Sequence, residues 1–184
     1  MIAQRPTHVA SALRAVAEAL PFPPAAFDAA MATLTVHHWA NRHAGIAEMR
    51  RVARRRVILT FDPDVHNRMW LMDYIPEIIE LESARAPSID EVVDGIHGHT
   101  VTVLSVPHDC SDAMTIANWR HPEAYFDSMV RAGSSSLKAG DRRRRGRFES
   151  SATTRLKSLF AAADPDRPAI DALRVKVDLS HSAA

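Results

Sequence analysis

Two adjacent histidines and a tryptophan, His37, His38 and Trp39, directly follow a long apolar run of the sequence. Histidine is the side chain whose ordinary pKa lies nearest neutrality, so it can accept or release a proton under physiological conditions. This pair is therefore the first candidate for proton-transfer chemistry. In the alternative interpretation, which stays open at this point, the two histidines only close the end of a strand and hydrogen-bond its backbone.

Other reactive side chains carry weaker signals. His97 and His99 stand two residues apart, but two imidazoles without a third ligand at a clear spacing are typical of turns, so no metal site is predicted. The single cysteine, Cys110, stands beside Asp109, which favours a buried or incidental thiol over a nucleophile. The arginine-rich run at 141–147 lacks interleaved aromatic residues, which favours a solvated loop over a phosphate-gripping surface.

Composition and charge limit the classes of protein. The 184 residues are 46% hydrophobic and 24% charged, which is typical of a single domain that buries a core. The 23 basic and 22 acidic residues nearly cancel, so no strong field attracts nucleic acid or an anionic membrane. No run approaches the ~18 apolar residues of a membrane span, and no signal peptide is visible. We expect a cytoplasmic protein with neither nucleic-acid nor membrane partners, and the Ala- and Arg-rich, Lys-poor composition suggests a bacterium.

Hydrophobic patterning predicts the elements that position the two histidines. Residues 12–16 form a short apolar run, predicted as a strand that the following prolines end. Residues 27–36 are apolar on both parities, as in a strand covered on both faces, with a buried helix as the alternative. Asn41 can cap an amphipathic helix whose polar side extends to Arg54, and residues 57–61 form another buried strand. Strand, helix and strand in this order predict a right-handed crossover and a parallel pair.

The rest of the chain predicts more helices and two more strands. A helix over 69–82 should kink or restart at Pro76. Ser88 forms a capping box with Glu91, and Gly95 stands where a left-handed C-terminal cap is expected. The remaining predicted elements are strands at 99–106 and 173–180, the second with one solvated face, a helix from Pro122 through Met129, and a helix that contains Leu156, Leu159 and Phe160.

Several short motifs occur in an order that resembles one enzyme family. They are Ala17-Glu18-Ala19-Leu20-Pro21-Phe22, Phe27-Asp28, His37-His38-Trp39, Glu48-Met49-Arg50-Arg51-Val52, a strand that ends in Asp62-Pro63, and two later segments at 107–114 and 119–125. Together they closely resemble the class I S-adenosylmethionine-dependent methyltransferases, specifically the small-molecule type 11 group. The resemblance is continuous over the first third of the chain.

The resemblance implies an α/β fold with a partial Rossmann-like sheet, whose first two strands are missing and whose C-terminal strands form an antiparallel pair. A single domain over 1–184 is expected, with the core sheet and helix in 1–64 and the C-terminal helices and strand pair in 65–184. The family's glycine-rich turn and its ribose-binding acid have no counterpart, since none of the six glycines forms a GxGxG run. The chain is therefore expected to start inside the fold, either because the start is placed too late or because the head of the gene is lost.

The same resemblance implies an enzyme that transfers a methyl group from S-adenosylmethionine to an unidentified small-molecule acceptor. His37 would be the general base, because histidine titrates near neutral pH. The other implied site residues are Ala17 and Glu18 near the adenine, Thr33 and Leu34 near the methionine moiety, and His38 and Trp39 on the acceptor side.

A second class of function stays open. In it the chain is a non-catalytic, truncated or decayed methyltransferase fragment that acts, if at all, as an interaction protein. Loss of the ribose acid and of the glycine-turn amides should weaken cofactor binding by on the order of a hundredfold to ten-thousandfold. The strand at 27–36 would also have an open apolar edge, which predicts a homo-oligomer that covers it.

Overall fold

The computed structural model describes residues 10–97, 100–107, 109–111, 114–134, 154 and 174–181. In this part of the chain four strands form one sheet in the order β1-β2-β4-β3. Strands β1 and β2 are parallel, and β4 runs antiparallel to both β2 and β3. The strands are β1 Phe27–Thr33, β2 Ala53–Phe61, β3 Val101–Ser105 and β4 Arg174–His181. The predicted α/β fold with a parallel pair is confirmed.

Within the described residues, six short or medium α-helices accompany the sheet. They are α1 Arg42–Val52, α2 Pro63–His66, α3 Leu71–Tyr74, α4 Glu77–Ser83, α5 Ile89–Ile96 and α6 Ser128–Gly133, and single 3-10 helices span Val36–His38 and Pro122–Phe126. The predicted restart at Pro76 is confirmed, because α3 ends before Ile75 and α4 begins at Glu77. The helix predicted from Pro122 through Met129 is instead a 3-10 turn, followed by α6 after Asp127.

The β1-α1-β2 unit forms as the local pattern predicts. The side-chain carbonyl of Asn41 accepts a hydrogen bond from the Ala44 N–H (3.0 Å), which satisfies a free donor in the first turn of α1. Ile46 and Met49 point into the core, and the helix ends at Val52. The prediction that this helix includes Arg54 is wrong, because β2 begins at Ala53 without an intervening loop.

Two apolar clusters hold the helices in place. One lies between the sheet and the helices α1 and α5, and the other joins α3, α4 and the segment at 106–126. The first contains Ala32, Val36, Ile46, Met49, Ile58, Val92 and Ile96. The second contains Met69, Leu71, Met72, Ile75, Ile78, Val106, Ile116, Trp119 and Tyr125, with Cys110 packed at its border. Burial of such side chains supplies most of the free energy that keeps these elements together.

The predicted strand at 12–16 is absent, since this stretch is irregular backbone whose only sheet-like contact is a bridge between Val16 and Ala19. Its apolar side chains are not covered by the described part of the chain, because Leu13 is 60% and Val16 61% exposed. An apolar run forms a strand only where a partner strand pairs with it, so the apolar composition of residues 12–16 was not sufficient to predict a strand.

The predicted cap at Gly95 is also wrong. Gly95 lies inside α5, where a β-carbon would come within 3.1 Å of the Ile46 side chain on α1. The left-handed residue that ends the helix is His97, with φ 54°. Glycine at 95 therefore serves the close packing of α5 on α1. The helix around Leu156 and the arginine run at 142–147 lie outside the described residues.

Candidate functional site

The carboxyl ends of β1 and β2 lie side by side because the two strands are parallel. Thr33 is the last residue of β1, and Leu34 turns the chain with a left-handed backbone (φ 47°). The Leu34 N–H donates to the Leu59 carbonyl oxygen (2.8 Å), which fixes this turn against β2. The strand thus stops three residues before the predicted end at Val36, and the 3-10 turn that follows carries His37.

His37 is buried at this edge of the sheet, with 8% of its surface exposed. Its ring lies 5.2 Å from that of Phe61, the last residue of β2, and its Nδ1 atom has no hydrogen-bond partner in the described structure. Burial, with a further contribution from the neighbouring His38, lowers the pKa of His37 to about 4, against an opposing effect of Glu82. The ring is therefore neutral at pH 7 and can accept a proton.

A second histidine lies on the other side of Phe61. Helix α2 follows β2 directly and brings His66 to 5.1 Å from the Phe61 ring, where it too is buried. Burial lowers the pKa of His66, while its contact with Asn67 and the charge of Glu82 act in the opposite direction. Glu82 is buried on α4 and acts electrostatically on both histidines. We call His37, Phe61, His66 and Glu82 the histidine cluster.

Sequence reasoning missed His66 and Glu82. A signal for His66 was present, because it follows a predicted buried strand within five residues, and the carboxyl ends of parallel strands meet at one sheet edge. Nothing local marks Glu82, since it reaches the cluster only through the packing of α4. The part of the chain that the structure describes contains no group of three or more His, Cys, Asp or Glu placed to hold a metal ion.

The structure separates the two residues that were predicted to face an acceptor. His38 is exposed, and its ring lies 3.9 Å from that of His37. Trp39 is half-buried and packs on α1 at Gly45, where a β-carbon would collide with the indole ring. His38 is thus next to the predicted base, whereas the ring of Trp39 fixes the turn to the helix.

The predicted adenine-side residues are fastened to the start of α1. Ala17 and Glu18 form the turn between Val16 and Ala19. The Glu18 carboxylate accepts a hydrogen bond from the Asn41 N–H (2.9 Å), and this backbone bond is the main cause that lowers the pKa of Glu18. This bond holds the turn against Asn41, the residue that caps α1 and stands two positions after Trp39.

The same segment is held further along α1. The Glu48 carboxylate accepts from the Leu20 N–H (2.7 Å), and the Arg51 guanidinium donates to the carbonyl oxygens of Leu20 (2.9 Å) and Phe22 (2.7 Å). Arg51 and Glu48 also bond each other (2.6 Å), and this bond to Arg51 lowers the pKa of Glu48 to about 2. The hydrogen bonds of Glu48 and Arg51 therefore hold the irregular chain before β1 against α1.

Comparison with known families bears on this region. Residues 2–61 match the family described as methyltransferase domain. The match confirms, for this segment, the predicted resemblance to methyltransferases. The matched segment contains the whole β1-α1-β2 unit and every predicted site residue from Ala17 to Trp39. A search of curated proteins found no match.

Solved structures are similar to the chain over a longer range than residues 2–61. A protein of Anabaena variabilis, described as a methyltransferase from an antibiotic biosynthesis pathway, is 24% identical, with a TM-score of 0.78 over 92% of this chain and 72% of that one. The YcgJ protein of Bacillus subtilis is 14% identical, with a TM-score of 0.45 over 91% and 69% of the two chains. A geranyl diphosphate C-methyltransferase of Streptomyces coelicolor is 14% identical, with a TM-score of 0.42 over 89% and 48%. The Anabaena structure shows that the fold is shared.

No helix within the described ranges is both long enough and apolar enough to span a bilayer.

Proposed function

We propose that the protein is an S-adenosylmethionine-dependent methyltransferase that acts on a small molecule. The observation that carries the proposal is the match of residues 2–61 to the methyltransferase domain, because this segment builds the sheet edge at which the buried, neutral His37 lies. We also propose that the sheet is a methyltransferase sheet without its first two strands. A cytoplasmic location is part of the same proposal.

When bound, S-adenosylmethionine supplies a methyl group on a positively charged sulfur, so the protein has to align the acceptor and remove its proton. His37 is the proposed base. Its ring is neutral at pH 7, and its Nδ1 is free of described partners, so it can receive the proton. The negative charge of Glu82 favours the protonated ring. With a pKa of about 4, His37 is a weak base, which suits an acceptor that becomes acidic only as methyl transfer proceeds.

The described residues fit the cofactor in part. Thr33 is exposed at the end of β1, where the methionine moiety is proposed to lie beside Leu34. The Leu34 N–H is already bonded to Leu59, and the Glu18 carboxylate, proposed with Ala17 to lie near the adenine, is already bonded to Asn41. The 184 residues contain no glycine-rich turn that could contact the nucleoside part of S-adenosylmethionine. We therefore expect weak cofactor binding by these 184 residues.

Calorimetric titration with S-adenosylmethionine tests the proposal. For an active enzyme we expect the loss at the lower end of the range, about a hundredfold to a thousandfold, which turns typical micromolar binding into a dissociation constant of roughly 0.1 to 1 mM. A His37→Gln variant should bind equally well and lose transfer of a radioactive methyl group to a panel of phenols, amines and carboxylic acids. His38→Gln, at the exposed neighbour, is the matched control and should keep most of the transfer. No saturable binding at several millimolar ligand would contradict the proposal.

A second candidate function, an interaction protein, is favoured by the outer edge of the sheet. Strand β1 is an edge strand in the described order, and its Phe27 and Met31 side chains are 41% and 71% exposed. Unpaired strand edges readily pair with other chains. We propose that two copies associate through β1.

Sedimentation velocity distinguishes this candidate from a monomer. Met31→Lys places a charge on β1 and should shift the protein toward the monomer. Met129→Lys is the control, because Met129 is 76% exposed but lies on α6, away from β1. A monomeric parent protein, or equal effects of both substitutions, would exclude association through this edge.

A further inference from the structure

The amino ends of β1 and β2 border a pocket of about 600 Å³. Four arginines and one histidine line it, and none of the described lining residues is acidic. The charged or titratable residues in the wall are Arg50, Arg51, Arg54, Arg56 and His97. At about 3.3 Å per residue, the five residue steps along β2 from Arg56 in the pocket wall to Phe61 in the histidine cluster span roughly 16 Å. It is therefore a different site from the proposed methyl-transfer site.

Two of the arginines serve the fold. Arg56 is 7% exposed and donates to the carbonyl oxygens of Arg54 (2.9 Å), Ile96 (3.2 Å) and Ala53 (3.5 Å). Arg51 donates to two carbonyl oxygens of the chain before β1 and to Glu48. These two side chains line the pocket, and their hydrogen bonds hold them in place.

The other two arginines have donors to spare. A guanidinium has five N–H donors. Arg50 makes one long described bond, from Nη1 to the Gly95 carbonyl oxygen (3.5 Å). Arg54 makes one described bond, from Nη1 to the Asp28 carboxylate (2.9 Å), in an ion pair whose side chains are 67% and 78% exposed. Such an exposed pair is weak and exchanges readily for another anion.

The cations also repel one another across the pocket. Burial lowers the pKa of Arg56, and the positive charge of Arg50 lowers it further. An anion between these guanidinium groups would relieve that repulsion and would accept short, charge-assisted hydrogen bonds. Guanidinium geometry matches tetrahedral phosphate oxygens in particular, because two parallel N–H groups can bond two oxygens at once.

We propose that this pocket binds the phosphoryl group of a small molecule, held by Arg50 and Arg54 against the wall formed by Arg51 and Arg56. The site stands on residues that the methyl-transfer proposal does not use, so either proposal can fail without the other. The chemical class of ligand is a phosphate monoester or diphosphate, since a dianion matches more than one guanidinium.

Titration with inorganic phosphate and with pyrophosphate tests the site, with chloride added to keep the ionic strength constant. We expect saturable binding with dissociation constants below about 1 mM. Arg50→Gln and Arg54→Gln should each weaken binding by about tenfold or more, since each removes charge-assisted hydrogen bonds. Arg55→Gln is the matched control, because Arg55 is exposed on the same strand but does not line the pocket, and its effect should stay within about twofold.

Asp28→Asn gives a result that a purely structural role would not produce. Removal of the carboxylate releases Arg54, so phosphate should bind about threefold more tightly. Three outcomes would overturn the proposal: no saturation at 10 mM phosphate or pyrophosphate (roughly ten times the weakest expected dissociation constant), an equal loss in Arg55→Gln, or tight binding of a single-stranded oligonucleotide without binding of either phosphate. The last outcome would indicate an extended basic surface.

Discussion

The two ends of the β1-β2 pair bury polar groups with different numbers of hydrogen bonds. At the amino end, Arg56 is 7% exposed and donates to three backbone carbonyls. At the carboxyl end, His37 is 8% exposed, and its Nδ1 has no partner in the described structure. The burial is almost the same, so burial alone does not separate a structural group from a functional one. The two residues differ in the number of their hydrogen bonds: Arg56 also has a buried nitrogen, Nε, without a described partner, but its other two nitrogens make three described bonds to carbonyl oxygens.

The largest change in the free energy of unfolding is expected when the Arg56 side chain is removed. Arg56→Ala removes the charged donor from three backbone carbonyl oxygens and leaves a cavity, which should lower the free energy of unfolding by about 3 to 4 kcal/mol. Urea denaturation measures the change. Arg55→Ala, one residue away and exposed, should change stability by less than about 0.5 kcal/mol. Similar losses in the two variants would mean that the described carbonyl bonds of Arg56 contribute little.

The next test uses pH. His37 has a pKa of about 4 in the folded protein and about 6.5 when unfolded, so the unfolded state binds the proton more tightly. Stability contributed by the neutral ring is complete above pH 6.5 and is lost as the pH falls toward 4. Between pH 7.5 and 4.5 we expect a loss of about 2 to 3 kcal/mol from this residue, measured by urea denaturation at both values.

A His37→Phe variant isolates that effect, because its stability should fall less over the same pH interval. The lowered pKa of Glu48, about 2, interferes little, since the stability linked to it is lost mainly below pH 4.5 and equally in the parent and the variant. An identical pH slope in the parent and the variant would show that His37 titrates normally in the folded protein.

At pH 7.5 the same substitution should act in the opposite direction to Arg56→Ala. His37→Phe replaces a buried, unsatisfied nitrogen with an apolar ring beside Phe61, so we expect stability to rise by about 1 kcal/mol. Methyl transfer should be lost at the same time. His38→Phe, at the exposed neighbour, serves as the control for stability. A destabilised His37→Phe protein would place the residue among the structural groups, with Arg56.

The smallest expected effect belongs to the exposed ion pair of Arg54 and Asp28. Because both side chains are largely exposed, Asp28→Asn should change the free energy of unfolding by less than about 0.5 kcal/mol. Thermal denaturation at low and high salt checks this value. A larger, salt-sensitive loss would mean that the pair supports the start of β1 and is not free to exchange for a ligand.

The sequence predicted most of what depends on neighbours along the chain. Asn41 as a helix cap, the restart at Pro76 and the buried strand that ends at Phe61 each follow from residues within one or two turns. The strand predicted at 12–16 failed because a strand also needs a partner, and the cap at Gly95 failed because packing against Ile46 on α1 decides that position.

Residues brought together by packing could not be predicted in the same way. His37 was found because it stands in a local motif, whereas Glu82 reaches it through α4, 45 positions further along the chain. The arginine pocket was not predicted because the predicted end of α1 was wrong. With Arg54 assigned to the helix, its side chain belonged to a solvated face, and only the switch to strand geometry at Ala53 places it beside Arg56.

Helix α1 ends at Val52 and β2 begins at the next residue, Ala53, so no loop separates them. Because side chains alternate between the faces of a strand, one residue inserted at this junction would turn every following side chain of β2 to the opposite face until the ladder recovered its register. Arg56 would leave its carbonyls and Ile58 would leave the core. The junction therefore does not tolerate changes of length, and natural insertions should occur elsewhere in the chain.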